Sequence, residues 1–171
     1  MLFITKATIK DAALLSKLSI ASFLPAHGHA ASKEIIDSYI ATNFSEENFN
    51  KELSNPAFQY HLLYYKEEIA GFSKVIFNSG NKNIPPKNST KMERLYLLTS
   101  FYNLGLGKKL MEFNIHLAQQ KKQAGIWLFV WVENKKAIAF YKKMGFKNAG
   151  DHDFVLSPTK TNPNHILYLE F

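Results

Sequence analysis

The sequence has no cysteine among its 171 residues. That excludes disulfides, thiol redox chemistry and a cysteine nucleophile. A long hydrophobic run is also missing: the longest uninterrupted apolar stretch, Ile126 to Val132, is far short of the roughly 20 residues of a membrane helix. The N-terminus lacks the basic-then-apolar layout of a secretory signal, so the expectation is a cytoplasmic protein with no membrane partner. Acidic residues are the scarcer charge, 14 Asp and Glu against 21 Lys and Arg, for a formal net charge of +7. The excess points to an anionic partner, but nucleic acid, a membrane surface and a phosphorylated small molecule all fit that description. No internal repeat or low-complexity tract is present. What remains is 46% hydrophobic and 14% aromatic. It reads as a single domain over residues 1–171, long enough to bury about two thirds of its unfolded surface without a disulfide or structural metal.

Hydrophobic period divides the chain into elements. Leu2 to Thr8 reads as a strand, followed by a helix through Leu14, Leu15, Leu18 and Phe23 that Asp11 is placed to cap. Pro25 and His27-Gly28-His29 read as a loop. A second helix covers Ile35, Ile36, Tyr39 and Ile40, and a third starts at the capping Ser45 with acids in its first turn. Phe58–Tyr65 and Ile69–Phe77 read as a hairpin about Lys66-Glu67-Glu68, and the polar tract from Asn78 to Thr90 as a mobile surface loop. Then Met92–Leu98 predicts a strand, Leu106 to about Gln123 a helix, Ile126–Val132 a strand covered on both faces, and Asn134 to Phe146 a last helix. Two strands each followed by a helix imply a parallel pair. The tail reads as a hairpin, Asn148–Leu156 with Asn164–Phe171, about a loop containing Pro158 and Pro163.

Two stretches carry chemistry. Asn103-Leu104-Gly105-Leu106-Gly107-Lys108 lies between a strand and a helix, where glycines admit close backbone approach and the helix N-terminus attracts phosphate. A plain tight turn reads equally well from two glycines. Neither the Walker spacing nor the third glycine of a dinucleotide fingerprint is present. In the second stretch, Asn134 and Tyr141 are seven residues apart, which returns them to within about 20° of one helix face. They can address one ligand, or Asn134 can be a simple N-cap and Tyr141 one more member of the apolar stripe with Ile138 and Phe140. A phenol is a competent acid toward a departing thiolate, since their ordinary pKa values lie close together.

The residues resemble the GCN5-related N-acetyltransferases, which acetylate amines with acetyl-CoA. The resemblance is carried by Tyr102-Asn103-Leu104-Gly105-Leu106-Gly107 and by Asn134 followed by Ala137 to Phe146. Within that family the chain is most similar to spermidine/spermine N-acetyltransferases of the PaiA type, through Lys51 to Asn55, Glu67 to Gly71, Glu93-Arg94-Leu95-Tyr96, Ser100-Phe101, Gly105 to Lys108 and Ile126-Trp127-Leu128. Tyr102 departs from the Gln or Arg that opens the family's cofactor signature. The resemblance implies an α/β (α+β) fold: a mixed, mostly antiparallel sheet with a splayed parallel strand pair and flanking helices. It also implies that the backbone of Leu95, Tyr96 and Leu97 pairs with the pantetheine arm of acetyl-CoA, with the N–H near Leu97 facing the acetyl oxygen. Asn103 through Lys108 would hold the pyrophosphate, Asn134 the cofactor arm, and Tyr141 would be the general acid. Glu93 is the best residue to take the amine's proton or bind its ammonium, although a carboxylate beside Arg94 also reads as a structural pair.

Other features read as structural. His27-x-His29 lacks a third ligand, and no metal is expected. Lysine pairs 108-109, 121-122, 135-136 and 142-143 read as solvated faces. The expected partners are acetyl-CoA and a small-molecule amine, first a polyamine. Alternatives are an aminoglycoside, a small amine metabolite, a protein N-terminus, or a non-catalytic regulatory module. Nucleic acid is disfavoured because the aromatics cluster in apolar strands. The sequence is compatible with a homo-oligomer.

Overall fold

The computed structural model describes residues Met1–Phe171. In chain order its elements are β1 (Leu2–Lys6), α1 (Ala12–His27), α2 (Lys33–Asn43), α3 (Glu46–Leu53), β2 (Phe58–Tyr65), β3 (Glu68–Ile76), β4 (Thr90–Leu97), α4 (Leu106–Gln120), β5 (Gly125–Trp131), α5 (Lys135–Lys143), β6 (Lys147–Ser157) and β7 (Lys160–Glu170). The seven strands form one sheet in the order β1-β2-β3-β4-β5-β7-β6. β4 and β5 are parallel, with Thr90 opposite Ile126 and Lys91 opposite Trp127, as a strand–helix–strand crossover requires. The β1–β2, β5–β7 and β6–β7 pairs are antiparallel. This is the expected mixed α/β sheet with flanking helices.

The chain divides into two compact units, Met1–Val75 with Arg94–Met111, and Ile76–Glu93 with Glu112–Phe171. In the first, Lys66 and Glu67 both take positive φ, 50° and 71°, the backbone of a two-residue hairpin turn between β2 and β3. The unit's apolar side chains divide between two clusters, and Ala70 and Phe72, two apart on β3, fall in different ones. Tyr60, Leu62 and Phe72 pack under Leu15, Leu18 and Phe23 of α1, Ile36 of α2 and Phe49 of α3. Leu63, Ala70, Leu95 and Leu97 pack under Leu106 and Leu110 at the start of α4. In the second unit Ile84, Trp127 and Ile166 are buried together.

Several expectations are corrected. Helix α1 runs through Pro25 to His27, because its last turn is held by tertiary packing: the His27 ring lies 5.0 Å from Phe23, which stacks on Tyr39 at 5.2 Å. Asp11 stands at the N-cap of α1, but its carboxylate turns back, accepting from Thr8 N–H at 2.7 Å and Thr8 Oγ1 at 3.0 Å. Helix α4 ends at Gln120, short of the expected Gln123, and Lys122 turns the chain with φ 54°. Pro163 lies within β7, opposite Asp153. It is tolerated because its carbonyl still accepts from Val132 N–H at 3.1 Å, while β7's pairing with β5 starts only at Asn164.

The tract from Asn78 to Ser89 is anchored. Ile84 is buried, Trp127 Nε1–H donates to Ser79 O at 2.6 Å, and Asn83 Nδ2 donates to Ala149 O at 3.1 Å. The last bond requires Gly150, where a Cβ would lie 2.0 Å from Asn83 Nδ2. An apolar residue in a polar tract here marks an attachment point.

Candidate active site

Within the first unit the candidate groups are backbone. On β4, Leu95 and Leu97 are committed to the core beneath α4, whereas the Tyr96 ring turns the other way, 5.6 Å from Phe72 and 6.4 Å from His27. With all three side chains engaged in packing, main-chain groups are what this segment can offer a ligand. Gly71 sets their position: a Cβ there would lie 2.2 Å from Tyr96 O and 3.0 Å from Leu97 Cα. Sequence reasoning placed Gly71 in a motif but not in the site; a glycine inside a strand pattern is the signal for such close backbone approach.

Past β4, Asn103 and Gly105 take positive φ, 63° and 74°. The position of a Gly105 Cβ has no neighbour within 4 Å, so the turn has open space at its centre, and the left-handed backbone favours glycine. Asn103, Leu104 and Gly105 are exposed. The first bond of α4 runs from Lys109 N–H to Gly105 O at 3.2 Å. The N–H groups of Leu106, Gly107 and Lys108 therefore precede the helical ladder, at the positive end of a 15-residue helix. An open, glycine-lined turn ahead of a helix N-terminus fits a pyrophosphate. Residues 103–108 form one continuous structure, with Gly107 inside the first helical turn rather than in the loop. Tyr102 is half-buried just before it.

Within the second unit the candidate groups are side chains. Asn134 is the N-cap of α5, its Oδ1 accepting from Ala137 N–H at 3.2 Å; its amide nitrogen carries two further donors. Tyr141 is half-buried, its ring 5.1 Å from Phe140 and 5.6 Å from Phe146. It belongs to the aromatic stripe, and burial pushes its phenol well above the ordinary value. The hydroxyl is thus protonated at neutral pH, the form an acid needs.

Neighbouring strand residues face opposite ways, so Glu93 and Arg94 stand in different surroundings. Arg94 is buried, donating to Tyr60 OH at 2.9 Å and lying 3.8 Å from Glu52. Glu93 instead holds Lys91, Nζ to Oε1 at 3.3 Å. The Lys91 ammonium also stands 5.5 Å from the Trp127 ring centroid and 5.2 Å from that of Phe129. His152 stacks on Phe129 at 4.3 Å. Lys91, Trp127 and Phe129 were not candidates in the sequence; only the parallel register brings them to Glu93.

Comparison with known proteins places the chain: residues 24–146 match the acetyltransferase (GNAT) family model. The chain belongs to the GNAT acetyltransferase family. It is therefore an acetyl-CoA-dependent N-acetyltransferase. An uncharacterized N-acetyltransferase from Lactobacillus delbrueckii subsp. lactis is 29% identical over 154 residues, 90% of this chain and 88% of its own. The spermine/spermidine N(1)-acetyltransferase of Bacillus subtilis is 31% identical over 97 residues, 54% of this chain and 61% of its own. Among solved structures, PaiA N-acetyltransferase from Thermoplasma acidophilum, in complex with coenzyme A, shares the fold with a TM-score of 0.79 at 22% identity, covering 100% of this chain and 99% of that one.

Two further groups of charged residues in this GNAT enzyme lie outside the expected site. Glu52 accepts from Tyr60 OH and from Asn48 Nδ2 at 3.3 Å, and pairs with Lys74 Nζ at 2.8 Å. Burial works against its carboxylate, but Arg94, Lys74 and Tyr60 together hold it below the usual range. Its signal was visible: Lys74 is a lone charge in an apolar strand, and Glu52 and Arg94 lie in the motifs quoted above. His27 at the end of α1 is held down to about 4 by burial and by His29. The four lysine pairs are exposed, as expected of solvated faces, although 121-122 lies past the end of α4 rather than on it. No helix is long and apolar enough to cross a membrane.

Proposed function

We propose that this enzyme transfers the acetyl group of acetyl-CoA directly to a primary amine, with a polyamine such as spermidine or spermine as the first acceptor class. Acetyl-CoA, when bound, supplies an activated thioester. The N–H groups of Leu106, Gly107 and Lys108, with the open turn at Gly105, hold its pyrophosphate. Asn134 hydrogen-bonds the arm, and the backbone of Leu95, Tyr96 and Leu97 aligns it. The Leu97 N–H stabilises the oxyanion, a contact worth a few kcal/mol in such reactions. Glu93 takes the proton of the attacking ammonium, directly or through a water. The amine nitrogen bonds the acetyl carbon, the carbon–sulfur bond breaks as Tyr141 gives its proton to the departing thiolate, and the proton the new amide nitrogen must still lose restores the Tyr141 phenol through water.

The observation that carries the acceptor reading is that Glu93, Trp127 and Phe129 already hold an ammonium group, that of Lys91. Carboxylate and aromatic faces together are the chemistry that recognises protonated amines. The B. subtilis relative supports the same class over the 97 residues it shares. The test is thiol release from acetyl-CoA against spermidine, spermine, simple diamines, aminoglycosides and short peptides. Saturable turnover on spermidine or spermine is expected. Turnover confined to an aminoglycoside or a peptide would replace the polyamine reading, and steep salt-dependent DNA binding with no CoA affinity would replace the catalytic one.

A further inference from the structure

Four side chains of the second unit form a small lattice on one sheet face. Lys91 and Glu93 are two apart on β4, Trp127 and Phe129 two apart on β5, and the register sets Lys91 opposite Trp127, so all four leave the sheet on one side. The two rings are fixed. The Trp127 ring is tied by its 2.6 Å bond to Ser79 O and buried with Ile84 and Ile166. Phe129 is backed by the stacked His152, and Glu93 carries its carboxylate on a shorter stem than that of Lys91. The fourth group is not fixed in the same way: an ammonium at the end of a four-carbon chain is a rotatable point charge. Lys91 and Glu93 keep 21% and 29% of their side-chain surface in solvent. A carboxylate-and-ring site whose cation arrives on a flexible arm, within reach of water, can exchange that cation for another.

We propose that Lys91 is the resident cation of an acceptor subsite. Its ammonium occupies the place where Glu93 Oε1, Trp127 and Phe129 would hold a second, non-reacting ammonium of a polycationic acceptor, while the reacting nitrogen meets Glu93 through its other oxygen or a water. The acceptor must displace it, and that competition sets how strongly the enzyme discriminates between multiply and singly charged amines. The inference rests on the acceptor reading above and makes it more specific: the native chain blunts its own preference for polycations.

The test uses Lys91→Met, which keeps the aliphatic stem and removes the charge, with Lys91→Gln as a second neutral variant and Lys91→Arg as the charge-retaining control. The ratio of kcat/KM for spermidine to that for a monoamine of matched chain length should rise about tenfold in the neutral variants, through KM. It should stay near the native value in Lys91→Arg, and the gain should vanish in the Lys91→Met/Glu93→Gln double variant. An unchanged or lowered ratio, or a gain that survives in the double variant, would overturn the proposal. Calorimetric titration of spermidine without acetyl-CoA separates the two levels of inference. If no amine is turned over by any form, the transfer reading fails alone. About tenfold tighter spermidine binding by Lys91→Met would still sustain the subsite, and equal binding would end it.

Discussion

Two strand lysines of this enzyme each stand over aromatic rings and against a glutamate, and their surroundings differ. In the first unit, Lys74 on β3 is 3% exposed, 2.8 Å from Glu52 and 4.1 Å from the Phe58 ring centroid. Glu52 is further engaged by Tyr60, Asn48 and Arg94, and Arg94 itself lies over Phe44 and Phe49. In the second unit, Lys91 on β4 is 21% exposed and 3.3 Å from Glu93. Both pairs combine the same residue types. A carboxylate only 16% exposed, with several donors around it, joins α3 to three strands and cannot lose a partner without stranding another charge. A pair left 21% and 29% exposed contributes less to stability, so its members are freer for ligand exchange. Surroundings, not residue identity, separate a structural pair from a site.

That contrast can be broken in four ways. Glu52→Gln leaves Lys74 and Arg94 buried with their shared anion removed, so urea denaturation should show a loss of about 3–5 kcal/mol; a loss below 1 kcal/mol would put the two pairs in the same class. Acidification probes the same unit. Burial, aided by His29 for one and Lys6 for the other, lowers His27 and His61 from 6.5 to about 4. Between these values the unfolded chain takes up protons that the folded chain refuses. Stability should thus be complete above about pH 6.5 and fall toward pH 4, by up to about 3 kcal/mol per histidine. Urea midpoints measured across that range check it, and replacing both residues with Gln should flatten the profile.

The third prediction concerns the second unit. Tyr141→Phe should lower kcat by more than about tenfold with acetyl-CoA affinity nearly unchanged, and native-like kcat would remove Tyr141 as the acid. The smallest stability effect is expected from Glu93→Gln, within about 1 kcal/mol by the same denaturation assay. Its rate effect should be greatest at low pH, where amine deprotonation limits transfer. A uniform rate loss across pH would give Glu93 a binding role instead.

Local signals made most of the fold and part of the site legible. The shift from helical to alternating period fixed element types, Ser45 marked the start of α3, and Gly105 announced the turn at the head of α4. Where the chain departs from expectation, distant residues decide. Pro25 stays helical because Phe23 and His27 pack onto other elements, and the tract near Ile84 is anchored by Trp127 and Ala149, each more than 40 residues away. The same holds for the site. Backbone features at Gly105 and Gly71 show as glycines in informative places, since glycine is where the main chain needs room. Side-chain constellations depend on register: Glu93 was read beside Arg94 because they adjoin in sequence, whereas it holds Lys91, two residues away on the same face. Trp127 and Phe129 read only as a buried strand, and nothing local says which of their faces meets a cation.

Initial-rate kinetics with acetyl-CoA and spermidine varied together test direct transfer between two bound substrates. The account predicts intersecting double-reciprocal lines, saturable thiol release that requires the amine, and acetylated spermidine as product. Parallel lines with thiol release before amine addition would mean an acetylated enzyme intermediate, and no release with any amine would contradict the proposed reaction itself.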